Sequence, residues 1–180
     1  MKKIFATVLA AGVIWYFGAS EARAWSGSAI DASVDEALAK FKETKGADEV
    51  LKKAQGVLVI PKMLKAGIGI GGEYGEGALR INEKTADYYS SAAASIGFQL
   101  GAQQKTIIIL FMDKNALDKF QSSSGFKIGV DASVAVVAIG TGGTIDSANI
   151  NQPIIAFVLD QKGLMYNVTL EGAKITKLKK

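Results

Sequence analysis

The sequence predicts an α+β domain: one curved, largely antiparallel, glycine-rich sheet closing toward a barrel, with two N-terminal helices and one further helix packed on it. Three observations predict it. Helical spacing of apolar residues is confined to the stretches 33–55 and 113–121, whereas from Gly56 onward the alternation of side chains is almost continuously that of strands. Within that run, Gly67, Gly69, Gly71, Gly75 and Gly77 fall on one strand parity together with Glu73, leaving one face nearly bare backbone. Interior glycine weakens a strand, so this face is expected to receive the close approach of a helix, another strand or a ligand such as an acyl chain, the alternative being that the glycines only let the sheet bend and twist.

Taken in order, residues 1–24 read as a secretory signal. Lys2 and Lys3 precede an apolar run from Ile4 to about Phe17, and Ala22-Arg23-Ala24 forms a small-x-small cleavage site. The run is shorter than the ~20 residues of a spanning helix, so the mature chain is expected to begin at Trp25 and to form one domain, 25–180, in a bacterial periplasm or outside the cell. The full chain of 180 residues carries a formal +4 and neither cysteine nor histidine. Removing the leader leaves +2, too little positive charge for a nucleic-acid binder.

A helix is expected from Ser33 to Lys45, with Ser33 and Glu36 as a capping box, Val34, Ala37, Leu38 and Phe41 as its stripe, and Gly46 as its stop. Asp48 then caps a short helix, Glu49 to Gln55. Val57 to Ile60 is a buried strand closed by Pro61, followed by a helical turn from Lys62 to Ala66. The glycine-faced strand follows, bends near Gly75, continues through Ile81 and turns at Asn82 to Lys84. Tyr88 to Gln103 is a longer strand, and Lys105 to Met112 is β-branched and aromatic enough to be fully buried. Asp113 caps a helix through Phe120, Phe126 to Ile139 alternates again, and 140–153 is a polar loop. A hairpin of Ile154–Leu159 and Leu164–Leu170 closes the domain before a tail carrying four lysines.

Gly67-Ile68-Gly69-Ile70-Gly71-Gly72 matches the dinucleotide pattern GxGxxG, but Glu73-Tyr74-Gly75-Glu76-Gly77 is no helix start, and pyrophosphate needs a helix N-terminus there. That reading is rejected. Without histidine, the usual base for a serine nucleophile is absent, and without histidine or cysteine no metal site of that kind can form. No catalytic residue, metal or cofactor is expected. The carboxylates Glu73 and Glu76 fall on opposite strand faces, which argues against joint acid/base work and for structural pairing of Glu73 with backbone donors or a lysine. For lipid binding, the expected basic patch is Lys62, Met63, Leu64 and Lys65 on one helical turn, joined by Lys52 and Lys53.

Five spaced segments carry a resemblance: 54–61 (AQGVLVIP), 65–77 (KAGIGIGGEYGEG), 88–90 (YYS), 97–103 (GFQLGAQ) and 162–172 (KGLMYNVTLEG). In this order they resemble the SYLF-domain family across nearly all of the chain after the leader. The resemblance implies a lipid-binding module. Its eukaryotic relatives bind phosphoinositides and regulate actin and membrane traffic, and its bacterial relatives are exported envelope proteins with phospholipid affinity. Several of the latter look like lipoproteins, whereas this chain lacks the cysteine. The expectation is therefore a non-catalytic protein binding anionic phospholipid or a membrane surface. Its rivals are an envelope structural or protein-interaction module and a carboxylate-dependent hydrolase.

Overall fold

The computed structural model describes residues 25–97, 103–140, 143–145, 151–160, 170 and 172–180. The expected leader 1–24, the middle of the 97–103 motif and the expected strand 164–170, apart from Leu170, lie outside the described residues.

Helix α1 spans Gly27–Lys42 and begins earlier than the capping box predicts. Ser26 is the cap, its hydroxyl accepting from the Ala29 amide, and the buried stripe starts at Ile30 and runs through Val34 to Phe41. Glu43 closes α1, and Gly46, in the left-handed region at φ 89°, instead opens helix α2, Ala47–Lys53. Glycine is required there, because a Cβ would overlap the Ile145 carbonyl oxygen.

Strand β1 runs unbroken from Gly56 to Ile81, which corrects both the stop at Pro61 and the helical turn after it. Proline is tolerated because the register slips at that point: Ile60 faces Ile107 and Met63 faces Lys105, so Pro61 and Lys62 together oppose Thr106. The Thr106 hydroxyl donates to the Pro61 carbonyl at 2.9 Å, closing the bulge. The bulge also shifts phase, so that Leu58, Ile60 and Met63 share one core although their parity differs. The turn Asn82-Glu83 then leads into strand β2, Lys84–Gly97, paired antiparallel with the second arm of β1.

Strand β3, Gln103–Phe111, pairs with the first arm of β1. Helix α3, Lys114–Ser122, starts where Asp113 accepts from the Asn115 and Ala116 amides. The expected strand 126–139 is broken: β4 is only Phe126–Lys127, Gly129 turns the chain at φ 83°, and β5 is Ala135–Ala138. Strand β6 is Ile154–Leu159, and the lysine-bearing tail is itself a strand, β7, Lys174–Leu178. Among the described residues these strands form one curled sheet in the order β4-β7-β2-β1-β3-β6-β5, antiparallel except for β5 on β6.

The sheet is buried on both faces at its centre. Ile107, Ile109 and Phe111 of β3 join Ile154, Ala156 and Val158 of β6 under α3, while Ile108, Leu110, Ile155 and Phe157 pack under α1 and α2. Phe41 of α1 meets Phe157 at 5.1 Å between ring centres. Asp31 ties α1 to the sheet edgewise: Thr85 and Tyr88 hydroxyls donate to its carboxylate at 2.7 and 2.8 Å, and Arg80 stands 3.4 Å away. Burial raises the Asp31 pKa, but the Thr85 and Tyr88 hydrogen bonds and the Arg80 charge outweigh it and hold the group below its ordinary 3.8.

A carboxyl lowered in the folded state stabilises the fold above its unfolded pKa, and that contribution is lost as pH falls through the folded one. Asp31→Asn should therefore cost about 1 kcal/mol at neutral pH, discounted for solvent screening. In urea titrations the difference from wild type is expected to be full at pH 7 and to close below about pH 4. A difference as large at pH 3 as at pH 7 would assign the loss to packing instead.

Candidate functional surface

The six residues expected to form one basic turn are dispersed. Lys52 and Lys53 are exposed on α2, and the first arm of β1 separates them from Lys62 by six residues, about 20 Å of strand. Met63 is 1% exposed, a core residue. Lys65 follows Met63 in phase, turns to the α3 side of the sheet and stands 3.4 Å from Glu73, which Lys105 also holds at 2.8 Å. Glu73 is thus a structural carboxylate between two lysines, with its side chain 11% exposed. Opposite alternation leaves Lys62 and Leu64 facing outward on the other side.

Lys62 joins a linked set of four residues that the sequence did not single out as lipid-binding, Trp25, Lys180, Glu76 and Tyr74. The Lys62 ammonium lies 5.0 Å from the centre of the Trp25 ring, a cation–π contact. Lys180, the last residue, donates to the Trp25 carbonyl at 2.6 Å and to Glu76 at 2.8 Å. Glu76 also accepts the Tyr74 hydroxyl at 2.9 Å. Partial burial, and then that bond to Glu76, push the Tyr74 phenol above its ordinary pKa, so it stays a neutral donor across the physiological range. Trp25 (37% exposed) and Tyr74 (50%) are thus linked through Lys62, Lys180 and Glu76, and Leu64 (53%) is exposed on the same face of β1 as Lys62. Tyr74 and Glu76 were legible as sharing a parity with each other; their neighbourhood with residues 25 and 180 was not, because no local pattern encodes it.

The glycine face is placed in part. Gly67, Gly69 and Gly71 lie within β1, Gly69 opposite Gly97 and Gly71 opposite Ser95. Gly75 and Gly77 receive the chain's own first arm. A Cβ on Gly75 would come within 2.8 Å of the Lys62 carbonyl oxygen, and one on Gly77 would overlap the Val59 carbonyl oxygen. At these two positions the close approach is made by protein backbone.

Among the described residues no group of three or more Asp, Glu, His or Cys is placed to hold a metal ion. None of their helices is long and apolar enough to cross a membrane.

The fold is thus a curled sheet clasped by helices, presenting an aromatic and cationic surface where Trp25 and Lys180 meet the outward face of β1. Residues 92–180, from the second half of β2 to the C-terminus, match the family model described as "Ysc84: Las17-binding protein actin regulator". Over these residues the chain carries the signature of this family, that of the SYLF domain, a family of binding domains. A comparison with curated proteins finds no match.

Proposed function

We propose that this protein binds the surface of phospholipid membranes without catalysis, as an exported component of a bacterial cell envelope. The observation that carries the reading is the outward cluster of Trp25, Lys62, Leu64 and Tyr74. Aromatic rings with a polar end, an aliphatic side chain and a cation suit the boundary between headgroups and acyl chains. Export rests on the leader-like segment 1–24, which ends where Trp25 enters this surface. Phosphoinositides and actin, the partners of eukaryotic relatives, are not found in that compartment and are not assigned here.

Relative to a basic patch, the balance of forces shifts. With Lys62 and Lys180 set against Glu76, the surface has a net charge of only +1, contributing on the order of 1 kcal/mol at an anionic membrane. Burying the exposed parts of Leu64 and Tyr74 contributes about 2 to 3 kcal/mol, so apolar contact dominates. Co-sedimentation with vesicles should therefore weaken roughly 30- to 150-fold in Leu64→Glu/Tyr74→Glu, as that energy requires. Lys52→Glu/Lys53→Glu should bind nearly as wild type. Equal losses in the two variants would contradict the assignment of this surface.

The family's printed description as Las17-binding supports a second reading, in which the same surface meets a protein. Retention by envelope protein or cell-wall fractions, without any dependence on lipid, would favour it.

A further inference from the structure

The two edges of the curled sheet end differently. At one, Lys127 is the residue of β4 that turns its backbone away from β7, and the turn that follows satisfies it. Its amide donates to the Asp131 carboxylate at 2.6 Å, and its carbonyl accepts the Val130 and Asp131 amides at 3.2 and 2.9 Å. That edge is closed to further pairing.

At the other edge, β5 pairs with β6 alone among the described residues. The Ile139 amide donates to the Val158 carbonyl at 2.9 Å, so residues 135, 137 and 139 turn their backbone toward β6. By alternation Val136 and Ala138 present N–H and C=O outward, and no described residue takes them up. Sheets commonly protect such an edge with lysine, proline, a bulge or a covering loop. Here neither a charged residue nor a proline falls between Asp131 and Asp146. Val136, Val137 and Ala138 are all exposed, the two valines at 37%. Val136 lies beside Ala156 on the α3 side of the sheet, and Val137 beside Phe157 on the side of α1 and α2. Both cores therefore run out to an open strand.

We propose that β5 pairs antiparallel with β5 of a second copy of this chain, about a two-fold axis at Val137. In that register the outward residues of the strand meet each other, Val136 of one copy exchanging both bonds with Ala138 of the other. Val137 then opposes its own counterpart, and the pairs along the strand are small, apolar and free of repelling charge. The strand is thus its own complement, whereas a charged segment would set its charges against valine and alanine. Because the β4 edge is closed, pairing stops at two copies and does not grow into a fibre. One short strand pair falls below the roughly 1,200 Å² of a standard interface, so the dimer is reversible and concentration-dependent.

The test is sedimentation velocity of the protein purified after export under its own leader, from about 10 μM to 1 mM, where a weak interface dissociates. The expected result is a monomer–dimer equilibrium without larger species. Val137→Lys and Val137→Glu each set like charges across the axis from an exposed position, and each should weaken the dimer at least about tenfold without unfolding the chain. An equal mixture of the two should restore it, because the charges across the axis are then opposite. The chain has no cysteine, so Val137→Cys, purified reduced and then oxidised, should give a disulfide-linked dimer. Residues facing each other in such a pair stand about 4.5 Å apart at Cα, within reach of a disulfide. Val130→Cys, 74% exposed in the turn after β4, should not cross-link to a comparable extent. A monomer at every concentration would overturn the proposal and leave the edge to an extended segment of another protein. So would failure of the mixed variants to recover the dimer, or equal cross-linking through position 130. Leu64→Glu/Tyr74→Glu should dimerise as wild type, and Val137→Lys should bind vesicles as wild type, so failure here and failure of the membrane reading are distinguishable.

Discussion

Gly77→Ala is expected to destabilise the protein by about 3 kcal/mol or more, a fall in Tm of roughly 6 to 12 °C for a domain of this size. The added methyl would overlap the Val59 carbonyl oxygen and lie 2.8 Å from the Val59 carbonyl carbon and 2.9 Å from the Ile60 Cα. All three are backbone atoms, so no rotamer change relieves the clash. The first arm of β1 would have to lift from the second, parting Val59 from Ala78 in one core and Ile60 from Leu79 in the other. Gly72→Ala is the control. Its methyl would meet nothing closer than the Ala93 carbonyl oxygen at 3.8 Å, and the expected change is within about 0.5 kcal/mol. Equal losses in the two, measured by thermal unfolding, would mean that strand propensity and not close approach governs this face.

Phe120→Ala should cost about 3 to 5 kcal/mol, in the range for a buried phenylalanine whose site cannot collapse. Phe120 is 1% exposed and is the hub of an aromatic cluster, with ring centres 4.8 Å from Tyr89, 4.7 Å from Phe111 and 5.3 Å from Phe126. These partners come from β2, β3 and β4, so one ring joins α3 to three parts of the sheet. Phe120→Leu should recover a substantial part of the loss in chemical denaturation, because it refills volume but not the ring contacts. A loss below 1 kcal/mol in Phe120→Ala would show that α3 is peripheral to the cooperative core.

The fold was legible wherever a local signal decided the outcome. Asp113 caps α3 as its residue type predicts, and the run 107–111 is buried on both faces because β1 and β6 hold it at the centre of the sheet, with one core under α3 and the other under α1 and α2. Local signals misled where pairing decides. Pro61 reads as a stop, yet a bulge opposite Thr106 accommodates its missing N–H. Lys174-Ile175-Thr176-Lys177-Leu178 reads as a solvated tail, yet Ile175 is 2% exposed because β2 and β4 flank it. Ser26 to Ile30 read as a stretch with no periodicity, yet α1 begins at Gly27 and Ile30 is buried on its stripe four residues before Val34. The candidate surface suffered most from the Pro61 misreading. As a helical turn, Lys62 and Lys65 would share a face, but as a strand with a bulge they diverge, and Lys65 goes to Glu73. Lys62 and Leu64 stay outward in both readings. Trp25 and Lys180 are brought to them by the curl of the whole sheet, which no window of sequence contains.

The sequence holds two tryptophans, Trp15 in the leader and Trp25, so a chain from Trp25 to Lys180 reports through Trp25 alone. Its emission, followed as phospholipid vesicles are added, tests the membrane reading most directly. Membrane docking through this surface predicts a shift to shorter wavelength, quenching by brominated acyl chains, and persistence of both in high salt, since apolar contact outweighs the single net charge. An emission spectrum unchanged at saturating lipid, with no quenching, would contradict it.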